Sequence, residues 1–191
     1  EACMTEQLKT ITRGCCDQPR NMVVLLHGIG SNAQDMSGIA EFLAPDLPET
    51  LFVIPEAPRH LKLSDRDIEQ IQQNYPEFDP NNAKSWFEIS NWLPLSLKFN
   101  RLQAIYDLNQ LIDAHLSAHG LSSKDFALFG FSQGGFLASY TAMSRDEPCR
   151  AVINHSGPFI GFTNAHAQPD TLLLYGEEEV KNIENMHDKM N

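Results

Sequence analysis

Short apolar runs recur along this chain, each closed by glycine, proline or polar residues. They are Val23–Leu26, Leu51–Ile54, Phe126–Phe129, Ala151–Ile153 and Leu172–Leu174. Each run is continuous rather than alternating, which is the pattern of strands covered on both faces of a mostly parallel sheet. Between the runs the period becomes helical. Met36, Ile39, Ala40 and Leu43 share one face over residues 35–44. Leu102, Ile105, Leu108, Leu111, Ile112 and Leu116 form a stripe over 101–119, with Gly120 placed to cap it. Residues 133–145, small and apolar at their start, predict a third helix. Strands alternating with helices imply right-handed crossovers and an α/β sheet with helices on both faces. Residues 59–83 break the pattern: they are polar, carry Pro76 and Pro80, and predict a surface excursion with one helical piece over Asp67–Gln73. No repeat or linker divides the chain, so residues 1–191 are expected to form a single domain.

The chemistry concentrates where two of the runs end. Gly130-Phe131-Ser132-Gln133-Gly134 is a G-x-S-x-G pattern lying between an apolar run and a helix. Five residues with three fixed recur by chance, but the motif requires a strand–turn–helix setting, and that setting is predicted here. A sharp turn lifts the serine above the sheet, and the glycines remove Cβ atoms that would collide. The following helix N-terminus favours developing negative charge. The plainer alternative is a serine in an ordinary βα turn.

The run 23–26 leads into His27-Gly28-Ile29-Gly30-Ser31-Asn32. A tetrahedral intermediate needs two N–H donors aimed at its oxyanion. In such an arrangement one donor follows the nucleophile, here Gln133, and the other lies in the earlier loop, here Ile29. His27 is expected to fix that loop by hydrogen bonds rather than to act as a base.

Composition narrows the function class. The net charge is −11, from 25 acidic and 14 basic residues, which disfavours nucleic acid as a partner. No apolar run approaches the ~20 residues that span a bilayer, so no stable membrane insertion is expected. The chain opens on Glu1 without a secretory signal pattern. Cys3, Cys15, Cys16 and Cys149 show neither a CxxC pair nor zinc spacing, predicting reduced thiols and a cytoplasmic protein. His115 and His119 have the i, i+4 spacing of a helical metal pair, but no third ligand accompanies them; no metal site is expected.

With both motifs in register, the chain resembles the phospholipase/carboxylesterase family of α/β hydrolases, which includes the acyl-protein thioesterases. The matching stretches are Leu25–Gly30, Ile54–Arg59, Ser85–Ile89, Gly130–Gly135 and Leu173–Gly176, in order over nearly the whole chain. The resemblance implies a Ser–acid–His triad acting on acyl esters or thioesters of small molecules or lipids through an acyl-enzyme, with no cofactor. It also implies that Trp86 and Phe87 border the acyl cleft, with residues 59–97 shaping it, and that the protein can pair as a homodimer. Core packing is the competing explanation for the two aromatics.

The chain departs from the family pattern near its end. Counting from Gly176 places the acid at Glu179, where the family has aspartate; a one-residue shift would place Glu178 there. The only later histidine, His187, follows too soon, because a βαβ unit needs about 30 residues. It falls in a predicted helix, Ile183–Met190. The catalytic histidine is therefore not identified within 1–191, and the chain is expected to stop before its final strand and helix and to be marginally stable alone. His155, after the run 151–153, shares the edge of Ser132, but chain order argues against it as base. Two functions compete: a serine hydrolase acting through Ser132, and a binding module of the same fold whose triad is incomplete.

Overall fold

The computed structural model describes residues 8–88, 94–158 and 165–177. Six strands make the main sheet: β1 (Thr10–Gly14), β2 (Asn21–Leu26), β3 (Thr50–Pro55), then, after a small two-stranded ribbon of β4 (Arg59–His60) and β5 (Lys84–Ser85), β6 (Phe126–Phe131), β7 (Ala151–His155) and β8 (Thr171–Leu174). The order across the sheet is β1-β3-β2-β6-β7-β8. Among the described residues of this sheet, only β1 runs antiparallel; it pairs with β3 and was not anticipated. Its sequence, TITRG, is polar and half-buried, as an edge strand's can be, so it lacks the apolar signature of the inner strands.

The continuous apolar runs are explained by two separate cores. Val24, Leu26, Leu51, Val53, Phe126 and Leu128 face one side, against Leu108, Leu111 and Ile112 of α3 (Pro94–His119) and Phe136 and Leu137 of α4 (Gln133–Ser144). Leu25, Phe52 and Ile54 face the other, against Ala33, Met36 and Ala40 of α1 (Ala33–Leu43). Alternate residues of one strand thus enter different cores, and no position is left for a polar side chain.

One run departs from that rule. Leu172, Leu173 and Leu174 are 52%, 40% and 38% exposed, although apolar continuity predicted burial on both faces. Among the described residues β8 has a single strand neighbour, β7.

Local signals set the helix ends. Asn32 and Asp35 form a reciprocal capping box at α1, and Ser64 and Asp67 form another at α2 (Asp65–Asn74), the helix within the polar excursion. No residue of α2 is buried, as its composition predicts. Gly120 adopts φ +65° after α3, while Leu121 N–H donates to the Leu116 carbonyl at 2.9 Å and Gly120 N–H donates to that of Ser117. That pair of bonds is a Schellman closure.

The order of strands decides where a site can form. From β2 the chain moves outward to β3 on one side, with α1 on one face. It later returns to β6 on the other side, with α4 on the opposite face. The loops after β2 and β6 therefore diverge and leave a crevice at the carboxyl edge of the sheet, where open α/β sheets bind ligands.

Candidate active site

Ser132 stands at that crevice. It is the N-cap of α4, at φ 52° and ψ −115°, a conformation that L-residues rarely adopt. Its N–H donates to the His155 carbonyl at 2.8 Å, which ties the turn to the end of β7. The glycines around it are needed for close approach. A Cβ on Gly130 would strike the Gly134 carbonyl, and one on Gly134 would strike the Leu26 and His27 carbonyls. The turn can thus lie flat on β2 only with glycine at both places.

The loop after β2 comes to within contact of the serine. A Cβ on Gly28 would meet the Phe131 ring at 3.0 Å and the Ser132 Cβ at 3.4 Å. Neither the Ile29 N–H nor the Gln133 N–H makes a hydrogen bond within the protein among the described residues. Both remain available to an oxyanion, with the N-terminal end of α4 adding its dipole.

His27 is completely buried and serves the loop. Its Nδ1–H donates to the Gly28 carbonyl at 2.8 Å, while Nε2 accepts from Ala57 N–H at 3.1 Å. Burial lowers its pKa below the ordinary value, and the Gly28 bond and the carboxylates of Glu56 and Asp35 oppose that shift. Both ring nitrogens are engaged, so this histidine positions the loop. The loop's far end is fixed by Glu56, which accepts from Ala33 N–H at 2.6 Å where α1 begins.

The Gln133 side chain joins the two halves of the crevice. Its Oε1 accepts from Trp86 N–H at 2.8 Å, and its Nε2 donates to the Phe87 carbonyl at 2.8 Å. Ser85 Oγ lies 3.3 Å from Oε1. The same segment also braces the loop after β2. Gly30 N–H donates to the Lys84 carbonyl at 2.8 Å, and Lys84 N–H donates to that of Ser31 at 3.0 Å.

Trp86 and Phe87, expected to border the acyl cleft, are 1% and 6% exposed and belong to the core. Trp86 Nε1–H donates to the His27 carbonyl at 2.9 Å, and Phe87 meets Phe136 edge-on at 5.5 Å. Among the described residues, an exposed aromatic ring at the crevice is instead Phe131, the variable residue of the serine motif, 5.2 Å from the His155 ring.

His155 brings its backbone rather than its imidazole to Ser132. Its Nδ1 lies 3.0 Å from Ser156 Oγ, and its ring tilts over Phe131. Ser132 Oγ has no hydrogen-bond partner among the described residues. Glu178, Glu179 and His187 lie outside the described residues. Glu177, just before them, follows Tyr175, whose hydroxyl donates to the Gly157 carbonyl at 2.6 Å. His115 and His119 stack at 6.0 Å, and His119 Nδ1–H donates to the His115 carbonyl.

Sequence reasoning missed one buried network. Asn154, completely buried at the end of β7, donates to Ser139 Oγ at 3.0 Å and accepts from Gly157 N–H at 2.9 Å. A polar residue closing the apolar run Ala151–Ile153 was the available signal.

The switch-point crevice, the strained serine between strand and helix, and the paired N–H donors define an α/β-hydrolase fold. Comparison with known proteins agrees. A family described as phospholipase/carboxylesterase matches residues 14–173, and the chain belongs to that family. Acyl-protein thioesterase 1 of Mycosarcoma maydis is 27% identical over 147 residues, covering 71% of this chain and 56% of that protein. Acyl-protein thioesterase 1 of Schizosaccharomyces pombe is 25% identical over 139 residues, covering 71% and 54%. The crystal structure of esterase PE8 superposes with a TM-score of 0.73 at 26% identity, covering 90% of this chain and 76% of that one. The chain spans about half the length of the curated relatives it matches.

Proposed function

We propose that this chain is a serine hydrolase that cleaves carboxylic esters or thioesters of acyl chains through an acyl-enzyme on Ser132. The observation that carries the reading is Ser132, held at φ 52° between β6 and α4 beside two unengaged N–H groups. In the first step Ser132 Oγ bonds to the substrate's carbonyl carbon, and its proton passes to a base. The oxyanion is held by the Ile29 and Gln133 N–H groups, and the proton then leaves with the alcohol or thiol. Water attacks the acyl-Ser132 ester in the second step and restores the serine. The acid assigned to the triad is Glu179, and the scheme requires a histidine that it orients. Membership of the phospholipase/carboxylesterase family supports this reading, as do the thioesterases and esterase that the chain resembles.

A second reading is favoured by one observation: among the described residues no base touches Ser132 Oγ. On that reading the fold binds acyl compounds without turning them over, since a serine lacking its base loses several orders of magnitude in rate. Fluorophosphonate labelling of the purified chain, read by intact mass with Ser132→Ala as control, separates the two. A single adduct on Ser132 supports the hydrolase. A folded chain that never labels means that the triad is incomplete in this chain and overturns the hydrolase reading for it.

A further inference from the structure

Two described residues other than glycine hold a positive φ, Ser132 at 52° and Ser156 at 59°, and they lie on either side of one contact. Such conformations persist only where the surroundings fix them. Ser132 is fixed through its backbone: its N–H donates to the His155 carbonyl at 2.8 Å, and its carbonyl accepts from Phe136 N–H at 3.1 Å. The first of these bonds holds the serine only as firmly as the turn after β7, residues 155–157, is itself held.

Asn154 holds that turn. Its side chain is completely buried. Oδ1 accepts from Gly157 N–H at 2.9 Å, and Nδ2–H donates to Ser139 Oγ at 3.0 Å. Ser139 Oγ–H continues the chain to the Gly135 carbonyl at 3.0 Å. A Cβ on Gly135 or on Gly157 would strike Asn154 Oδ1, so the amide is wedged between the first turn of α4 and the turn after β7. Gly157 lies directly on the helix start, because a Cβ there would also strike Phe136 N and the Ser132 carbonyl oxygen. The outer side of the turn is tied to β8: Ser156 N–H donates to the Leu174 carbonyl at 2.8 Å, and the Tyr175 hydroxyl donates to the Gly157 carbonyl at 2.6 Å. A buried amide is costly to desolvate, and here both of its ends join one turn to the other.

We propose that Asn154 is a positioning residue for Ser132. It locks the turn after β7 to the start of α4, and so sets where Ser132 Oγ stands relative to the Ile29 and Gln133 N–H groups. It acts through the backbone and touches no substrate. The inference rests on the reading of Ser132 as the nucleophile.

The test compares Asn154→Ala and the milder Ser139→Ala with Leu108→Ala, which removes buried packing on α3. Fluorophosphonate labelling over a range of probe concentrations separates the maximal rate from the half-saturating concentration. Asn154→Ala should lower the maximal rate about tenfold or more and leave the half-saturating concentration unchanged, since small misplacements of a reacting group act on rate. Amide hydrogen exchange read by NMR should show Ser132 and Phe136 accelerating more than Val24 and Leu128 in the inner strands. Ser139→Ala should move both readouts the same way by less, so the answer does not depend on Asn154→Ala folding. Leu108→Ala should speed all protected amides alike and leave the maximal rate of the folded chain intact. A wild-type chain that never labels would overturn the reading of Ser132, while the exchange pattern would still decide the role of Asn154. The proposal is overturned if both variants exchange in the pattern of Leu108→Ala, or if a chain that labels keeps its maximal rate in both.

Discussion

Removing the Gln133 side chain tests the idea that the crevice is braced rather than merely lined. In Gln133→Ala the backbone N–H assigned to the oxyanion remains, and only the amide that grips residues 85–87 is lost. That amide is 5% exposed and bonds Trp86 N–H and the Phe87 carbonyl, both at 2.8 Å. The carbonyl keeps Ser85 Oγ, at 2.7 Å, as a donor, whereas the Trp86 N–H has no replacement acceptor among the described residues. An orphaned buried N–H costs about 1–3 kcal/mol, and the void left by the side chain adds about 1 kcal/mol more. The expected loss is ~2–4 kcal/mol, within what an ordinary domain of ~5–15 kcal/mol survives. Urea unfolding followed by tryptophan fluorescence measures it. Fluorophosphonate labelling measures the second consequence: with the 84–87 segment released, the two N–H donors lose their spacing, and the rate falls toward the ~10²-fold loss seen when one oxyanion donor is removed. Gln133→Glu should cost at least as much, because its carboxylate still accepts from Trp86 N–H but is buried without a counter-charge against the Phe87 carbonyl. A Gln133→Ala chain that unfolds within ~0.5 kcal/mol of wild type and labels at the wild-type rate would refute the bracing argument.

The remaining predictions concern strain, protonation and reactivity. Ser132→Gly relieves the φ 52° strain and should raise Tm by about 2–4 °C while abolishing labelling, as read by calorimetry and intact mass; an unchanged or lower Tm contradicts the strain. His27 is held below its ordinary value of 6.5, chiefly by burial, so its neutral form is the folded form. The unfolded chain then binds the extra proton, and stability falls as pH drops from about 6.5 toward the depressed value. His115, lowered first by burial and then by His119, acts in the same direction, so urea midpoints from pH 7 to 5 should flatten partly in His27→Gln and partly in His115→Gln. Burial pushes the Cys149 thiol up to about 11, and peptide mapping after iodoacetamide at pH 8 should find Cys16 alkylated and Cys149 untouched until the chain is unfolded.

The inner fold was legible because packing leaves a period. Leu25 facing α1 while Val24 and Leu26 face α4 and α3 makes an unbroken apolar run, and each such run was found as a strand of the sheet. The elements that escaped are those whose stability comes from elsewhere. The first strand, Thr10–Gly14, is ordered by its ladder to β3 and brings only Ile11 to a core, too little to leave an apolar run. The two-residue strands β4 and β5 exist because each pairs with the other and Lys84 also pairs with the oxyanion loop, a relation between distant positions that no local window contains. The exposure of Leu172–Leu174 was misjudged for the converse reason: composition records what a strand can bury, not what stands beside it.

At the site, residues that act through their own backbone geometry were readable, and residues that act on another segment were not. Ser132 announces itself by glycines whose absent Cβ atoms make room for Gly134 and the Leu26 carbonyl. Trp86 carried a signal too, but an ambiguous one: an aromatic in a stretch that resembles the family suits a cleft wall and a core equally. The structure makes it a strut, its indole N–H on the His27 carbonyl and its backbone N–H on Gln133. One segment, Lys84–Phe87, therefore touches both proposed sources of oxyanion N–H groups, the loop of Ile29 through Gly30 and Ser31, and the turn of Ser132 through Gln133. Two donors from loops far apart in sequence can be aimed at a single oxygen only if something fixes their separation, and hydrogen bonds from one short segment to both do so more stiffly than two independent loops could. The constraint on residues 84–87 follows from that geometry, and it would hold whatever acyl compound the crevice accepts.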